Sequence, residues 1–451
     1  PARHVLCTQE VIARTGKSRL LARVINNYAP CSKWSIQAVR DSYGVTMDRS
    51  DIFDSASSWQ RLLVALLIGL VANAGMWAVV VIMPAVEAEF ALTRAETSLP
   101  YMLSMVGYGL GNFIIGRWVD RVGIATALTG ASFGIAASFF AATQAGNIGV
   151  LAAIHFILGL FAAVGFAPLM SDISHWFIKW RGTAMALVAS TNYLSGAVWP
   201  TVLAGVLAQS GWRATYQTLA VITIVVVLPL AVLLRRRVPD SADGASVDAT
   251  PNRGNIRMSP ARLQLYLGFA GVACCVAMSM PQVHIVTYCV GLGYGPVAGA
   301  EMLSLMLFGG VLSRIFFGLL SDRLGGVRTL LVGSALQCLG LGLYLPYDGL
   351  VSLYLVSLIF GLSQGGIVPS YALIVREYMP AEEAGARVGF VLMMTIWGMA
   401  LGGWMSGWIY DVSGSYQMAF LNGIVWNLVN IGLVLALFFR KPAPLRPIAA
   451  R

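Results

Sequence analysis

Charge is what this chain has least of. Only 11% of its 451 residues are Asp, Glu, Lys or Arg, while 57% are hydrophobic and the mean hydropathy is +0.74. That balance argues against an ordinary soluble enzyme or binding module and makes domain counting by length irrelevant. Histidine is scarce too, with 4 residues, and no His/Cys/Asp/Glu spacing of a metal site occurs. No Walker sequence or nucleophile elbow is present, and GYGLG at 107–111 has no strand before it to make a phosphate loop. Direct ATP-driven work, metal chemistry and a bound cofactor are all disfavoured, and the chain does not read as an enzyme. Of the six cysteines, Cys274, Cys275, Cys289 and Cys338 lie in apolar segments without the spacing of a disulfide framework. Residues 1–60 lack the apolar core of a signal peptide, which leaves insertion to the first membrane span.

What is there is a series of apolar runs. With about twenty residues needed to cross a ~30 Å hydrocarbon layer, the runs predict twelve membrane helices. In the first half they cover 62–84, 97–116, 124–144, 149–171, 183–208 and 215–234. In the second half they cover 263–290, 297–320, 328–346, 350–374, 388–410 and 416–439. The domain plan is a cytoplasmic tail at 1–58, a six-helix bundle at 59–234, a linker at 235–262, a second bundle at 263–440 and a tail at 441–451. The linker is rich in Pro, Gly, Ser and Asp. The stretch MDRSDIFDSASSWQ would itself make an ordinary short tail beginning at Met47, and 1–46 reads as an accessory extension.

The net charge of +10 does not call for nucleic acid, because the basic residues are sorted by side. All but three of the 30 lysines and arginines (Arg94, Arg213 and Arg314) fall on the side that holds both termini. By the positive-inside rule that side is cytoplasmic. The expectation is a multi-pass protein of a bacterial-type inner or plasma membrane, surrounded by lipid.

The halves repeat. GRWVDRVG at Gly116–Gly123 returns as GLLSDRLG at Gly318–Gly325, Gly165 and Pro168 return as Gly366 and Pro369, and Tyr216-Gln217 returns as Tyr416-Gln417. Six helices per half give both halves the same orientation, so the repeat is parallel, with a substrate cleft between halves. The G-x-x-x-D-R-x-G turn after the second and eighth spans, present in both halves, resembles the mark of the major facilitator superfamily over about 59–440. The fold class expected is therefore an all-α polytopic membrane protein with twelve transmembrane helices in two parallel six-helix repeats, the major facilitator fold. HWFIKWRGTAMALVASTNYLSGAVWP, PQVHIVTYCVGLGY and the position of Arg314 further resemble the monocarboxylate porter and oxalate/formate antiporter group. That resemblance implies transport of small organic anions. Two departures stand out: no lysine occurs in 62–84 or 388–410, and Gly310 stands where proton-coupled members often carry aspartate.

The eighth span carries an arginine within its apolar run, at a cost of roughly 2.5–3.5 kcal/mol on insertion scales. Arg314 lies about 6 residues, or ~9 Å of helix, from the cytoplasmic end. A lipid-side arginine can snorkel, but no carboxylate sits mid-span to pair with this one. It is the main candidate for binding an anion. His155 and His284 are the other ionisable groups well inside spans, and the resemblance puts both on cavity-lining helices. They read either as hydrogen-bonding partners of a carboxylate or as satisfied, neutral core histidines. Asn73, Trp77, Tyr108, Asn192, Tyr193, Gln364 and Trp397 are further polar or aromatic groups able to face the cleft, with Asn192, Tyr193 and Trp397 taken as substrate contacts. At the turns, Gly116, Asp120, Arg121 and Gly123, with Gly318, Asp322, Arg323 and Gly325, are expected to gate. Each aspartate would sit against a helix N-terminus of the opposite half, a latch broken when the halves rock; solvated charges on a static turn are the alternative.

These readings converge on a secondary transporter of a small organic anion, a monocarboxylate, coupled by proton symport or by exchange. With a single permanent cation, monoanions should be preferred over dianions, and dianion binding should strengthen as pH falls through the histidine range near ~6.5. Rivals are a proton-coupled exporter of amphipathic compounds and a transporter-like sensor that moves nothing.

Overall fold

The apolar runs become helices throughout. The structure, a computed structural model, describes residues 53–235, 258–379 and 381–440, and every regular element among the described residues is helical. The expectations for 1–46, for most of the tail to 58, for most of the linker 235–262 and for 441–451 lie outside the described residues.

Ten stretches are long and apolar enough to span a membrane by length and composition. Two physical details bring the number of crossings to the twelve expected. The stretch Arg181–Leu233 is interrupted at Gly211, whose φ of 78° breaks the helix, and it makes two crossings, α5 (181–210) and α6 (212–233). Arg94–Val122, α2, is 29 residues long but diluted by glycine and polar residues that pack on other helices. The remaining first-half helices are α1 (Ala56–Phe90), α3 (Ile124–Ala142) and α4 (Ile148–Ser174). The second half holds α7 (Pro260–Gly291), α8 (Gly295–Leu324), α9 (Gly326–Leu343), α10 (Leu350–Tyr378), α11 (Ala381–Ser413) and α12 (Tyr416–Phe438).

The repeat is visible in backbone conformation. The turn between α2 and α3 places Gly123 at φ 84°, ψ 159°; its counterpart between α8 and α9 places Gly325 at φ 78°, ψ 170°. Side chains beyond glycine rarely adopt this region. Both α4 and α10 break at the same repeat position, after Ala163–Gly165 and at Gly365 and Gly366, ahead of Pro168 and Pro369. Two further breaks matter for the site. α1 pauses at Asn73, whose Nδ2 donates to Gly69 O at 2.7 Å, and α5 pauses at Ser190, after Ala189. Large apolar side chains such as Phe316, Leu319, Leu339 and Val351 point outward, as a lipid-facing surface requires.

The helix ends define two faces. The terminal face carries the chain on either side of 236–257 together with the α2–α3 and α8–α9 turns. The opposite face carries the α1–α2, α5–α6 and α11–α12 turns. Each half presents two helices to the other: α2 meets α11, and α5 meets α8.

Candidate functional site

The breaks in α5 and α10 prepare the site. Where a helix stops, its last carbonyls lose their intrahelical partners and keep the negative end of the backbone dipole. Arg314, on α8, uses two of them: Nε donates to Gly365 O at 3.2 Å and Nη1 donates to Ala189 O at 2.6 Å. Its guanidinium stacks over the Tyr193 ring, 4.5 Å from the centroid. Among the described residues no carboxylate pairs with it. A cation held by neutral carbonyls and an aromatic face keeps its charge available, which a salt bridge would cancel.

Arg314 lines a cavity of about 80 Å³ at the interface of the halves. Asn192, Tyr193, Trp77, Tyr108 and Gln282 bring polar atoms to it, and four methionines with Phe166 supply most of the remaining wall. Trp77 is fixed by its Nε1–H, which donates to Asn192 O at 2.9 Å, and Tyr108 by its hydroxyl, which donates to Asn73 Oδ1 at 2.9 Å. The cavity thus gathers Arg314, Asn192 and Tyr193 from the expected substrate contacts.

It does not gather the other three. Trp397 lies on α11 against Gly109 of α2, outside the cavity lining. His155 donates from Nδ1 to Leu151 O at 2.7 Å, and its Nε2 accepts from the Tyr216 hydroxyl at 2.7 Å. His284 donates from Nε2 to Gly403 O at 2.7 Å, with the Tyr416 hydroxyl 3.3 Å from Nδ1. Both imidazoles are buried with both nitrogens engaged. The geometry is that of the satisfied core histidine. The tyrosines are the repeat-related pair 216 and 416, so each half uses the same residue to hold a histidine.

The expected gate residues form no latch in this conformation among the described residues. Asp120, Arg121, Asp322 and Arg323 are exposed and make no side-chain hydrogen bond or ion pair among the described residues. Gly116 and Gly318 have nothing within 4 Å of where a Cβ would stand, again among the described residues, whereas Gly123 and Gly325 shape their turns. A carboxylate does cap a helix of the other half, but at the opposite face. Asp411, at the end of α11, accepts from the backbone N–H groups of Arg94 and Ala95 at 2.8 Å each, where α2 begins. Arg94 pairs with Glu87 and lies 5.4 Å from the Tyr410 ring centroid.

Both seams between the halves widen in one direction. Along α2 and α11, a Cβ on Gly407 would stand 2.7 Å from Arg94 O, one on Gly403 3.0 Å from Tyr101, one on Gly109 2.7 Å from Trp397 and one on Gly389 3.9 Å from Phe113. One turn further on, Gly116 and Gly385 have no such neighbour among the described residues. Along α5 and α8, Thr201 donates to Ser304 Oγ at 2.7 Å and Gly196 accommodates Leu307. After the Arg314 bond to Ala189, Gly318 and Gly182 meet nothing among the described residues. The halves are closed at the opposite face and parted at the terminal face.

Sequence reasoning missed Asp411 and Gln282. Asp411 follows an apolar run and looks like any loop carboxylate. Its partner is a helix start more than 300 residues away. Gln282 had a signal, an uncharged polar residue in mid-span, overshadowed by His284 two positions on.

The family model described as Major Facilitator Superfamily matches residues 65–386 and 292–451. Monocarboxylate transporter 13 of Bos taurus is 24% identical over 356 residues, 72% of this chain and 82% of that protein. The uncharacterized MFS-type transporter YcxA of Bacillus subtilis is 26% identical over 372 residues, 78% of this chain and 88% of that one. The agnestins efflux protein AgnL12 of Paecilomyces divaricatus is 23% identical over 62% of this chain and 64% of its own length. Among solved structures, a bacterial homologue of the human lysosomal transporter Spinster, inward-facing and unoccupied, superposes with a TM-score of 0.65 at 14% identity, covering 86% of this chain and 99% of that one.

Proposed function

The chain belongs to the Major Facilitator Superfamily, and from that premise we propose that it is a secondary transporter of a small monocarboxylate, working by alternating access with Arg314 as the charge partner. One observation carries the reading. A guanidinium lines a cavity between the halves, has no carboxylate partner among the described residues, and is held in place by helix-end carbonyls. A bidentate carboxylate would neutralise it while using donor directions the carbonyls leave free. The relatives named monocarboxylate transporters support the substrate class. Among the described residues no ionisable carboxylate lines the cavity, which favours exchange, or symport with the proton carried elsewhere.

In this reading the terminal face is cytoplasmic, and the conformation is open to the cytoplasm. Rocking the halves would break the Asp411 cap and bring Asp120 and Asp322 to the parted seams. The methionine-lined wall, soft and adaptable, favours a second reading, export of an amphipathic compound, in keeping with the relative named as an efflux protein. Proteoliposome uptake of small carboxylates by purified protein separates the two. Saturable uptake of a monocarboxylate is the expected result. A response only to neutral or amphipathic compounds would establish the second reading.

A further inference from the structure

Gln282 Oε1, on the cavity, is buried without a hydrogen-bond partner among the described residues and belongs to the site already described. Two other such atoms lie on the seam between the halves, one from each side: Trp397 Nε1 on α11, a donor, and Asn112 Oδ1 on α2, an acceptor. Burying either group without a hydrogen bond costs it the hydration it would have in water. They lie within one helical turn of each other along α2. A Cβ on Gly109 would stand 2.7 Å from Trp397 Nε1, so the N–H edge of the indole rests against α2 at that glycine. Asn112 is three residues further on, ~4.5 Å of helix toward the terminal face, and residues three apart share a helix face. Its Nδ2 donates to Tyr108 O at 2.8 Å, which commits the amide nitrogen to its own helix and leaves the oxygen as the free group. Asn112 also sits where the seam loosens, between Gly109, in contact with α11, and Gly116, which has no neighbour among the described residues.

We propose that Trp397 and Asn112 are a switch pair, joined by a bond between the halves from Nε1–H to Oδ1 that forms when the terminal face closes and is broken in the conformation described here. Rocking α11 toward the terminal part of α2 carries the indole in the direction in which Asn112 lies. The pair differs in kind from the aspartates of that face. Asp120 and Asp322 are exposed, and water replaces whatever partner they lose, whereas the indole N–H and the amide oxygen are buried with no substitute among the described residues. The pair therefore penalises this conformation and drives the carrier back toward the other. Both are positioning residues. Trp397 acts on transport without touching substrate, in keeping with its place outside the cavity lining.

The inference rests on the alternating-access reading, and one measurement tests the two separately. Distances between spin labels at Arg121 and Gly385, in the full chain reconstituted into vesicles, give the ratio of closed to parted terminal faces. Trp397→Phe, which keeps a ring and removes the N–H, and Asn112→Leu, which removes the amide, should each lower that ratio about five-fold, the scale of one hydrogen bond. The double variant should lower it no further, because either substitution alone already breaks the bond. Residues acting separately through packing would give about twenty-five-fold in the double variant. If either variant does not fold, Trp397→Leu or Asn112→Ala takes its place. Additive shifts, no shift in either single variant, or a rise in the ratio overturns the inference and leaves the two-conformation reading standing. A single distance in the parent protein, unchanged by Asp120→Asn and by Asp411→Asn, overturns both.

Discussion

The two ends of the inter-half seam are built from similar materials and are in opposite states. At the opposite face, α2 begins with unsatisfied N–H groups, a carboxylate from the other half caps them, and glycines let the two helices touch. At the terminal face the same types of group are present, aspartates beside glycine turns, yet the charges face solvent without partners among the described residues. Capping and dipole contacts are each worth about 1 kcal/mol. A latch of that size holds one conformation without trapping it. Arg314 sits where closed gives way to parted, bonded across the seam to Ala189.

The largest effect should come from that boundary residue. Arg314→Ala removes both the proposed charge partner of the substrate and a bond between the halves, and transport should fall by about two orders of magnitude or more, as the loss of a charged pair implies. Arg314→Lys should recover little, since an ammonium cannot span two carbonyls and a carboxylate in one plane. Melting temperature with and without substrate sharpens the point. The substrate-induced shift should vanish in the alanine variant while the protein remains folded. Transport near the wild-type level would reduce Arg314 to a structural clasp.

Next in size is the closed end. Asp411→Asn keeps an acceptor and loses the charge at the start of α2, a change of about 1 kcal/mol and roughly five-fold in population. Spin labels at Leu92 and Ser413 should report a larger separated fraction than in the parent protein. An unchanged distance distribution would mean that glycine packing alone closes this end. Smaller again is Asp120→Asn. Asp120 makes no side-chain contact here among the described residues, so its loss can act only on the other conformation and should move the population, by less than about three-fold, further toward this one. Labels at Arg121 and Gly385 read that end. A shift in the opposite direction would contradict the comparison.

The fold was legible in the sequence because a membrane imposes a length and an apolar content that composition alone reveals. The glycine turns at 123 and 325 were legible because they recur; Gly165 and Pro168 recur as well, but the breaks they mark in α4 and α10 fall inside spans that read as continuous. The site was legible in part. An arginine in an apolar run announces itself, and the structure places Arg314, Asn192 and Tyr193 on one cavity. What a sequence cannot express is which groups are already satisfied. His155 and His284 looked available until the carbonyls of Leu151 and Gly403 and the hydroxyls of Tyr216 and Tyr416 were seen to occupy them. Gln282 looked unremarkable because its unpartnered oxygen is a property of its neighbours.

That distinction yields the smallest predicted effect, an absence of one. With a single guanidinium on the cavity, a monocarboxylate should compete better than a dicarboxylate of matched length at pH ~8, because the second carboxylate would enter a region of reduced dielectric unpaired. Were either histidine open to the cavity, its protonation near the ordinary value of ~6.5 would supply a second cation and narrow the preference as pH falls. The geometry argues against that recruitment. Each ring donates to a backbone carbonyl through one nitrogen, and a tyrosine hydroxyl occupies the other, so a second proton would have to turn that hydroxyl from donor to acceptor and would place a charge in a buried site. Neither ring lines the cavity. The monocarboxylate preference should therefore stay within about two-fold between pH ~8 and ~5.5, measured with a dicarboxylate whose second carboxyl titrates below that range. A preference that collapses at the lower pH in the parent protein, and is restored by His284→Gln or His155→Gln, would show that the tyrosine-held histidines open during the cycle.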